Sequence, residues 1–212
     1  MFKISRRRLA TVGLGVAGAA ALLAPGAQAG PISSEADCSA SPKLTQPFLP
    51  WADLASYALS PDGGLEAGAT GWRLSGGAAT TSGNERFFVG GSTDRRSLSL
   101  PSGSSATSAP TCVGLEWPTI RFFTRSSGTS LLSSLRVDVL FESAATGATR
   151  SLQIGAATPG GTWEPTPQMV MLVNTLGALS EDGMVPVAFR FTPVGTGSWQ
   201  VDDLYVDPWR GP

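Results

Sequence analysis

Histidine is absent from all 212 residues. That absence excludes Ser-His-Asp and Cys-His nucleophilic sites, the common zinc sites and imidazole acid/base chemistry. Cysteine occurs twice and tyrosine twice. No internal repeat is present, and beyond the first thirty residues no stretch sustains helical period for three turns. What remains for catalysis is a carboxylate pair of the glycosidase kind, which needs two acids facing each other across a cleft. The sixteen acidic residues are scattered through ordinary surface contexts, so a carboxylate-based glycan-active enzyme stays a minor alternative.

The N-terminus reads as a targeting segment over residues 1–29. Lys3 and Arg6–Arg8 give a basic start, Leu9–Ala24 an apolar stretch, and Ala27-Gln28-Ala29 a small-residue cleavage site. Ser5-Arg6-Arg7-Arg8-Leu9 resembles the twin-arginine export motif, with the Sec route as the alternative. The apolar run is too weakly hydrophobic for a membrane anchor. A secreted or cell-envelope location follows, with no membrane span after cleavage. Cleavage takes Lys3 and the three arginines from the fifteen basic residues and no acid, leaving eleven against sixteen and a net charge of −5. Lys43 is then the only lysine. A nucleic-acid partner needs a basic stripe and is excluded. In an oxidising location Cys38 and Cys112 are expected as a disulfide, tethering an N-terminal arm (30–53) to the body of the chain (54–208), with a tail at 209–212.

The body is punctuated by short apolar runs between Gly, Ser and Pro, the pattern of an all-β sandwich. Leu135–Glu142 alternates most cleanly, with Leu135, Val137, Val139 and Phe141 on one face. Val185–Thr192 places Val187, Phe189 and Phe191 together. Thr119–Arg125 places Ile120 and Phe122 on one face and Arg121, Phe123 and Arg125 on the other. Shorter strands are predicted at Gly71–Leu74, Arg86–Val89, Ser97–Leu100, Thr149–Ile154, Gln168–Val173 and Ser198–Asp207. Turns fall at residues 61–64, 75–77, 90–92, 159–161 and 194–197. Residues 102–111 read as a long loop, and Leu172–Leu179 as the best short helical candidate. The fold class is two antiparallel sheets of four or five strands with jelly-roll connections.

Two signals stand at opposite ends of the body: Gly64-Leu65-Glu66-Ala67-Gly68-Ala69-Thr70-Gly71-Trp72 and Trp199-Gln200-Val201-Asp202-Asp203-Leu204-Tyr205-Val206. Together they resemble the first and last strand motifs of jelly-roll carbohydrate-binding modules of the galactose-binding-domain-like superfamily, "F-E-x-G-x-x-G-W" and "I-D-D-V". Leu65 stands where that pattern has Phe. The resemblance implies a structural calcium held by Glu66 and Asp203, with Asp202 as the substitute, and by backbone carbonyls, a donor set that suits this cation. An ion pair of Glu66 or Asp203 with Arg73 or Arg95 satisfies a buried carboxylate equally well. Adjacent Asp202 and Asp203 are expected on opposite faces of the strand, one inward and one to solvent.

The same resemblance implies a sugar-binding surface built on exposed aromatic rings and a few polar groups. Trp72 and Trp199 are expected to pack in the core. Trp117 and Trp163, in apparent loops, are the platform candidates, with Arg121 and Arg125 outward on their strand beside them. Asp138 and Arg190 are outward on theirs. Segments such as Gln46-Pro47-Phe48-Leu49-Pro50-Trp51, Arg96-Ser97-Leu98-Ser99-Leu100-Pro101 and Val187-Ala188-Phe189-Arg190-Phe191-Thr192-Pro193 resemble small secreted proteins of high-GC Gram-positive bacteria, a likeness that implies export and no particular activity. Expected partners are therefore a polysaccharide or, alternatively, an envelope protein on a structural or interaction domain.

Overall fold

The computed structural model describes residues 32–127, 132–173 and 176–209; the predicted leader and most of the tail lie outside them. Beyond one helical turn at Ile32–Glu35 and a 3-10 turn at Leu49–Trp51, the regular structure is strand. The first strands are β1 Leu44–Thr45, β2 Tyr57–Leu59, β3 Arg73–Ser75, β4 Ala79–Ser82, β5 Arg96–Leu100, β6 Ser105–Thr107 and β7 Thr111–Val113. They are followed by β8 Thr119–Ser127, β9 Ser134–Glu142, β10 Thr149–Ala157, β11 Glu164–Pro165, β12 Met169–Val170, β13 Val185–Val194 and β14 Ser198–Asp207.

Two antiparallel sheets result, a two-layer sandwich of jelly-roll type. In the first, β14 pairs along one edge with β8 and along the other with β5 and then β2. Outside these lie β4, β1 and, on the far edge of β8, the short β11 and β12. In the second, β13 is central, with β9 and then β10 on one side and β6 and β7 on the other, and β3 beyond β6. Three of the long strands, β8, β9 and β13, are those with the clearest alternation in sequence. The extra members are two- to five-residue pieces whose patterns are too short to show a period.

Leu135, Val137, Val139 and Phe141 of β9, Val187, Phe189 and Phe191 of β13, and Ile120 and Phe122 of β8 meet between the sheets. Trp72 joins them, its ring stacked 6.0 Å from Phe191, and Trp199 is fully buried. Around Arg121 and Phe123 the opposite face of β8 is covered rather than solvated. Phe123, Tyr205 and Trp163 form a second apolar cluster there with Phe48 and Tyr57. The arm therefore lies across the outer face of the first sheet, and Cys38 is bonded to Cys112 with Cα atoms 5.4 Å apart.

Four expectations are corrected. Residues 86–89 form turns, not a strand, because their loop folds around Glu85, as described below. Residues 102–111 contain β6, whose Ala106 lies in the core with Ala109; a Cβ on Gly71, next to Trp72, would lie 3.0 Å from that of Ala109. Leu172–Leu179 is not helical: Met171 and Val173 are buried while Leu172 is exposed, a period of two, and Gly177 bridges Ser143. Residues 174–175 of that segment are outside the described set. Finally, Asp202 and Asp203 are both fully buried. Asp203 has φ 49°, and the pairing of β14 with β8 slips between Asp202 and Tyr205. This β-bulge restarts the alternation, so Trp199 and Val201 face the core before it and Leu204 and Val206 after it.

Candidate functional site

Two places on the sandwich carry chemistry. The first is built by the bulge, the turn at 62–71 and the loop 83–95. Asp62 ties the turn together by accepting from the backbone N–H of Ala67 at 2.9 Å and of Thr70 at 2.6 Å. That presents Glu66, whose Oε1 accepts from the N–H groups of Arg95 and Arg96 at 2.7 Å each. Across the pocket the loop winds around buried Glu85, which accepts from the N–H of Val89 at 2.7 Å and from that of Phe87. These contacts hold Phe88 in the left-handed region at φ 54°.

Asp202 accepts from the N–H of Glu85 at 2.9 Å through one oxygen and from the N–H of Asp203 at 2.9 Å through the other. Both its oxygens are spent on backbone, so it positions the loop and the bulge and is not a free ligand. Asp203 differs. Its Oδ2 accepts from Gly90 N–H at 3.2 Å, while its Oδ1 is buried without a hydrogen-bond partner among the described residues. A Cβ on Gly90 would lie 2.5 Å from that Oδ1 and 2.7 Å from Oδ2 of Asp94. The two carboxylates thus face each other over a glycine that leaves room between them.

Burial, then the charge of Asp203, pushes Asp202 up to about 9. Burial, then Glu85, Asp94 and, after the opposing Gly90 hydrogen bond, Glu66, pushes Asp203 up to about 7. Asp94 is raised by burial and by Glu66. Among the described residues no arginine pairs with them: Arg73 pairs with Glu35 at 2.7 Å, and Arg95 meets Glu66 through its backbone. The ion-pair alternative for Glu66 and Asp203 is therefore not what the fold builds. A buried carboxylate oxygen with no donor, facing a second acid across a glycine gap, fits a hard cation coordinated at about 2.4 Å by oxygen. No three acidic side chains converge on one point among the described residues, so backbone oxygens or water would complete a shell. Glu85 and Asp94 escaped the sequence reading because residues 83–95 have no periodicity; the Gly90-Gly91 pair between two acids was the available signal.

The second place is the outer face of the first sheet. Its predicted ligand residues do not assemble. Arg121 is buried beneath the arm, its Nη1 2.7 Å from Asp53 Oδ2 and its guanidinium 4.3 Å from the centre of the Phe48 ring. Asp53 also accepts from Tyr57 Oη at 2.8 Å and from Gln168 at 3.1 Å. Burial raises the Asp53 carboxyl, but hydrogen bonds from Tyr57, Arg121, Ala55 and Gln168 outweigh it and hold the group below its usual value. Trp163 is 6 % exposed and packs in the second cluster rather than offering a platform. Trp117 is 60 % exposed but precedes β8, a strand's length from Arg125. Asp138 and Arg190 pair with each other at 3.2 Å on the other sheet.

Arg125 lines a cleft. The cavity, about 380 Å³, opens where β5, β8 and β14 meet; besides Arg125, polar Ser99, Ser126, Ser127, Ser198 and Gln200 wall it, with Gly161 and Trp199. No Asp or Glu lines it. Among the described residues no helix is long and apolar enough to cross a membrane.

Fold and site together define a jelly-roll β-sandwich with one buried acidic pocket and one polar cleft. No protein-family model matches the chain, and no curated protein matches it in sequence. Solved structures do. The chain is similar to the CBM22-1–GH10 modules of Clostridium thermocellum endo-1,4-β-D-xylanase 10B, complexed with xylohexaose, at 15 % identity and TM-score 0.46 over 66 % of this chain and 26 % of that one. It is similar to the CBM22-1–CBM22-2 tandem of Paenibacillus barcinonensis Xyn10C at 15 % identity and TM-score 0.49, over 72 % of this chain and 44 % of that one. A third likeness is to TmCBM61 in complex with β-1,4-galactotriose, 16 % identity and TM-score 0.41, covering 68 % and 94 %. The chain thus spans about a quarter of the length of the first of these.

Proposed function

We propose that this protein is an exported, non-catalytic β-sandwich that binds a glycan in the Arg125 cleft and carries a structural calcium ion beside Asp203. The observation that supports glycan binding is the set of polar side chains in the cleft wall, hydroxyls, one amide and one guanidinium beside Gly161 and Trp199, directional groups of the kind that hydrogen-bond sugar hydroxyls. A carboxylate-based enzyme has no comparable support. The acids that come together include Glu85, Asp202 and Asp203, all fully buried, and no acid faces the cleft. Retention of the folded protein on a panel of insoluble polysaccharides, and its release by the matching soluble oligosaccharide, is the test. Recovery from no member of the panel removes this reading.

For the ion, Asp203 and Asp94 supply side-chain oxygens, with Glu66 adjacent. A bound cation offsets the mutual repulsion of these acids and secures the bulge and the 83–95 loop. A second reading, an envelope domain that docks a protein, draws on the exposed Trp117, Leu115, Leu172, Leu176 and Leu179 near one end of the sandwich. Met171 N–H donates to Pro118 O at 2.9 Å, which brings two of these segments together. Elution of the protein from its native medium as a partner-free monomer counts against that reading.

A further inference from the structure

Arg125 is held differently from the other partly or fully buried arginines. Arg73, Arg121, Arg136 and Arg190 each face a carboxylate at 2.7–3.2 Å. Arg125 faces none among the described residues. Its Nε donates to Gln200 Oε1, and its Cζ lies 5.0 Å from the centre of the Trp163 ring. Trp163 is itself fixed in the second cluster. The guanidinium is thereby stacked on one side and anchored along its Nε edge, so that its orientation is set before any ligand arrives. Its two terminal NH2 groups make no hydrogen bond among the described residues, and the side chain lines the cleft.

A planar guanidinium offers two parallel N–H groups that match two oxygens of a carboxylate, and the match is stronger than a neutral hydrogen bond. Stacking on an indole adds cation–π attraction without using those donors. Besides Gly161 and Trp199, the rest of the wall is Ser99, Ser126, Ser127, Ser198 and Gln200, which suits hydroxyls, and no acid lines it to repel an anion. A neutral sugar would leave the charge of Arg125 without a counterpart in a partly desolvated cleft.

We propose that the cleft selects glycans bearing an oxyanion, a uronate carboxylate or a sulfate ester, and that Arg125 is the residue that reads the charge. This rests on the glycan-binding reading above. Calorimetric titration with four probes tests it: a galacturonic acid trisaccharide, its methyl ester, a neutral galactose trisaccharide and a sulfated galactose trisaccharide. An anionic trisaccharide should bind about ten- to hundred-fold more tightly than the neutral one, the range expected for a hydrogen bond to a charged group. The methyl ester should lose that advantage, and added salt should erode it. Whichever anion binds more tightly identifies the source. Arg125→Gln should abolish the preference, and Arg125→Lys, which keeps charge but loses the fork, should recover only part of it. Arg150→Gln on the other sheet should change nothing. Thermal melts verify that each variant is folded. Equal binding of neutral and anionic probes overturns the charge selection and leaves glycan binding standing. Binding of no probe, together with no retention on polysaccharide, overturns both.

Discussion

At the residue scale the most consequential group is Asp203, an acid at φ 49° whose inner oxygen has no donor. Loading a site that binds calcium at about 0.1 mM with 10 mM of the ion contributes about 2.7 kcal/mol of stability, a rise in melting temperature of about 5–10 °C for a domain of this size. Differential scanning calorimetry with and without chelator should show that rise. Asp203→Asn should abolish it. Gly90→Ala should do the same by a different route, since its methyl would sit between Asp203 and Asp94, while Gly160→Ala, with nothing within 4 Å, should leave the response intact.

Asp53 is the second decisive residue, and its effect runs with pH. Its carboxyl is depressed below the usual 3.8. A depressed acid contributes stability that is present above the unfolded value and is lost as pH falls through the folded one. Acidification below about pH 4 should therefore loosen the arm. Asp53→Asn should cost about 3 kcal/mol at pH 7, because it leaves Arg121 buried without its counter-charge, and its melting temperature should then depend less steeply on acid than that of the unaltered protein. Melts at pH 7 and pH 3.5 check both statements.

At the scale of elements, legibility followed alternation. Of the long strands, β10 is mostly exposed and a bulge resets the alternation of β14. The others, β8, β9 and β13, show their period because distinct residues populate their two faces, and the core residues they supply were readable one by one. The two- to five-residue strands β1, β2, β4, β6, β7 and β11 were not, since pairing with a neighbour and not local pattern makes them strands. Of the candidate site, Glu66 and Asp203 were legible through their motifs. Glu85 and Asp94 were not, because a loop folded around a carboxylate has no period to read. The sequence also assigned Arg121 and Trp163 to solvent. Alternation tells which residues share a face but not what covers it, and here the arm does. Phe48 is the pin of that cover: it is fully buried, 5.6 Å from Phe123 and 5.1 Å from Tyr57 by ring centres. Phe48→Ala should cost about 3–5 kcal/mol and raise amide exchange in β1 and β2 before the rest of the sheet, which exchange mass spectrometry would register.

At the scale of the whole molecule, the arm, the cleft and the acidic pocket are mechanically joined. The loop that carries Glu85 also carries Phe87, whose ring lies 4.8 Å from Trp51 of the arm and 5.6 Å from Phe123, so the pocket and the covered face share one element. The covalent brace for this assembly is Cys38–Cys112, which spans 74 residues and ties the start of the arm to β7 in the opposite sheet. In the chain-entropy picture a loop of that length contributes about 4.5 kcal/mol by restricting the unfolded ensemble. Replacing both cysteines with serine should therefore lower stability by about 2–4 kcal/mol, allowing for the common shortfall from that picture, with a proportionate fall in urea midpoint and little change in the slope. The loss should add to that of Phe48→Ala only in part, because both act on docking of the arm and residues serving one interface do not contribute independently. A double-mutant cycle by urea unfolding measures the coupling. Full additivity would mean that the disulfide and the aromatic pin hold separate parts of the molecule, and that the arm is secured by Phe48 and Asp53 without help from the bridge.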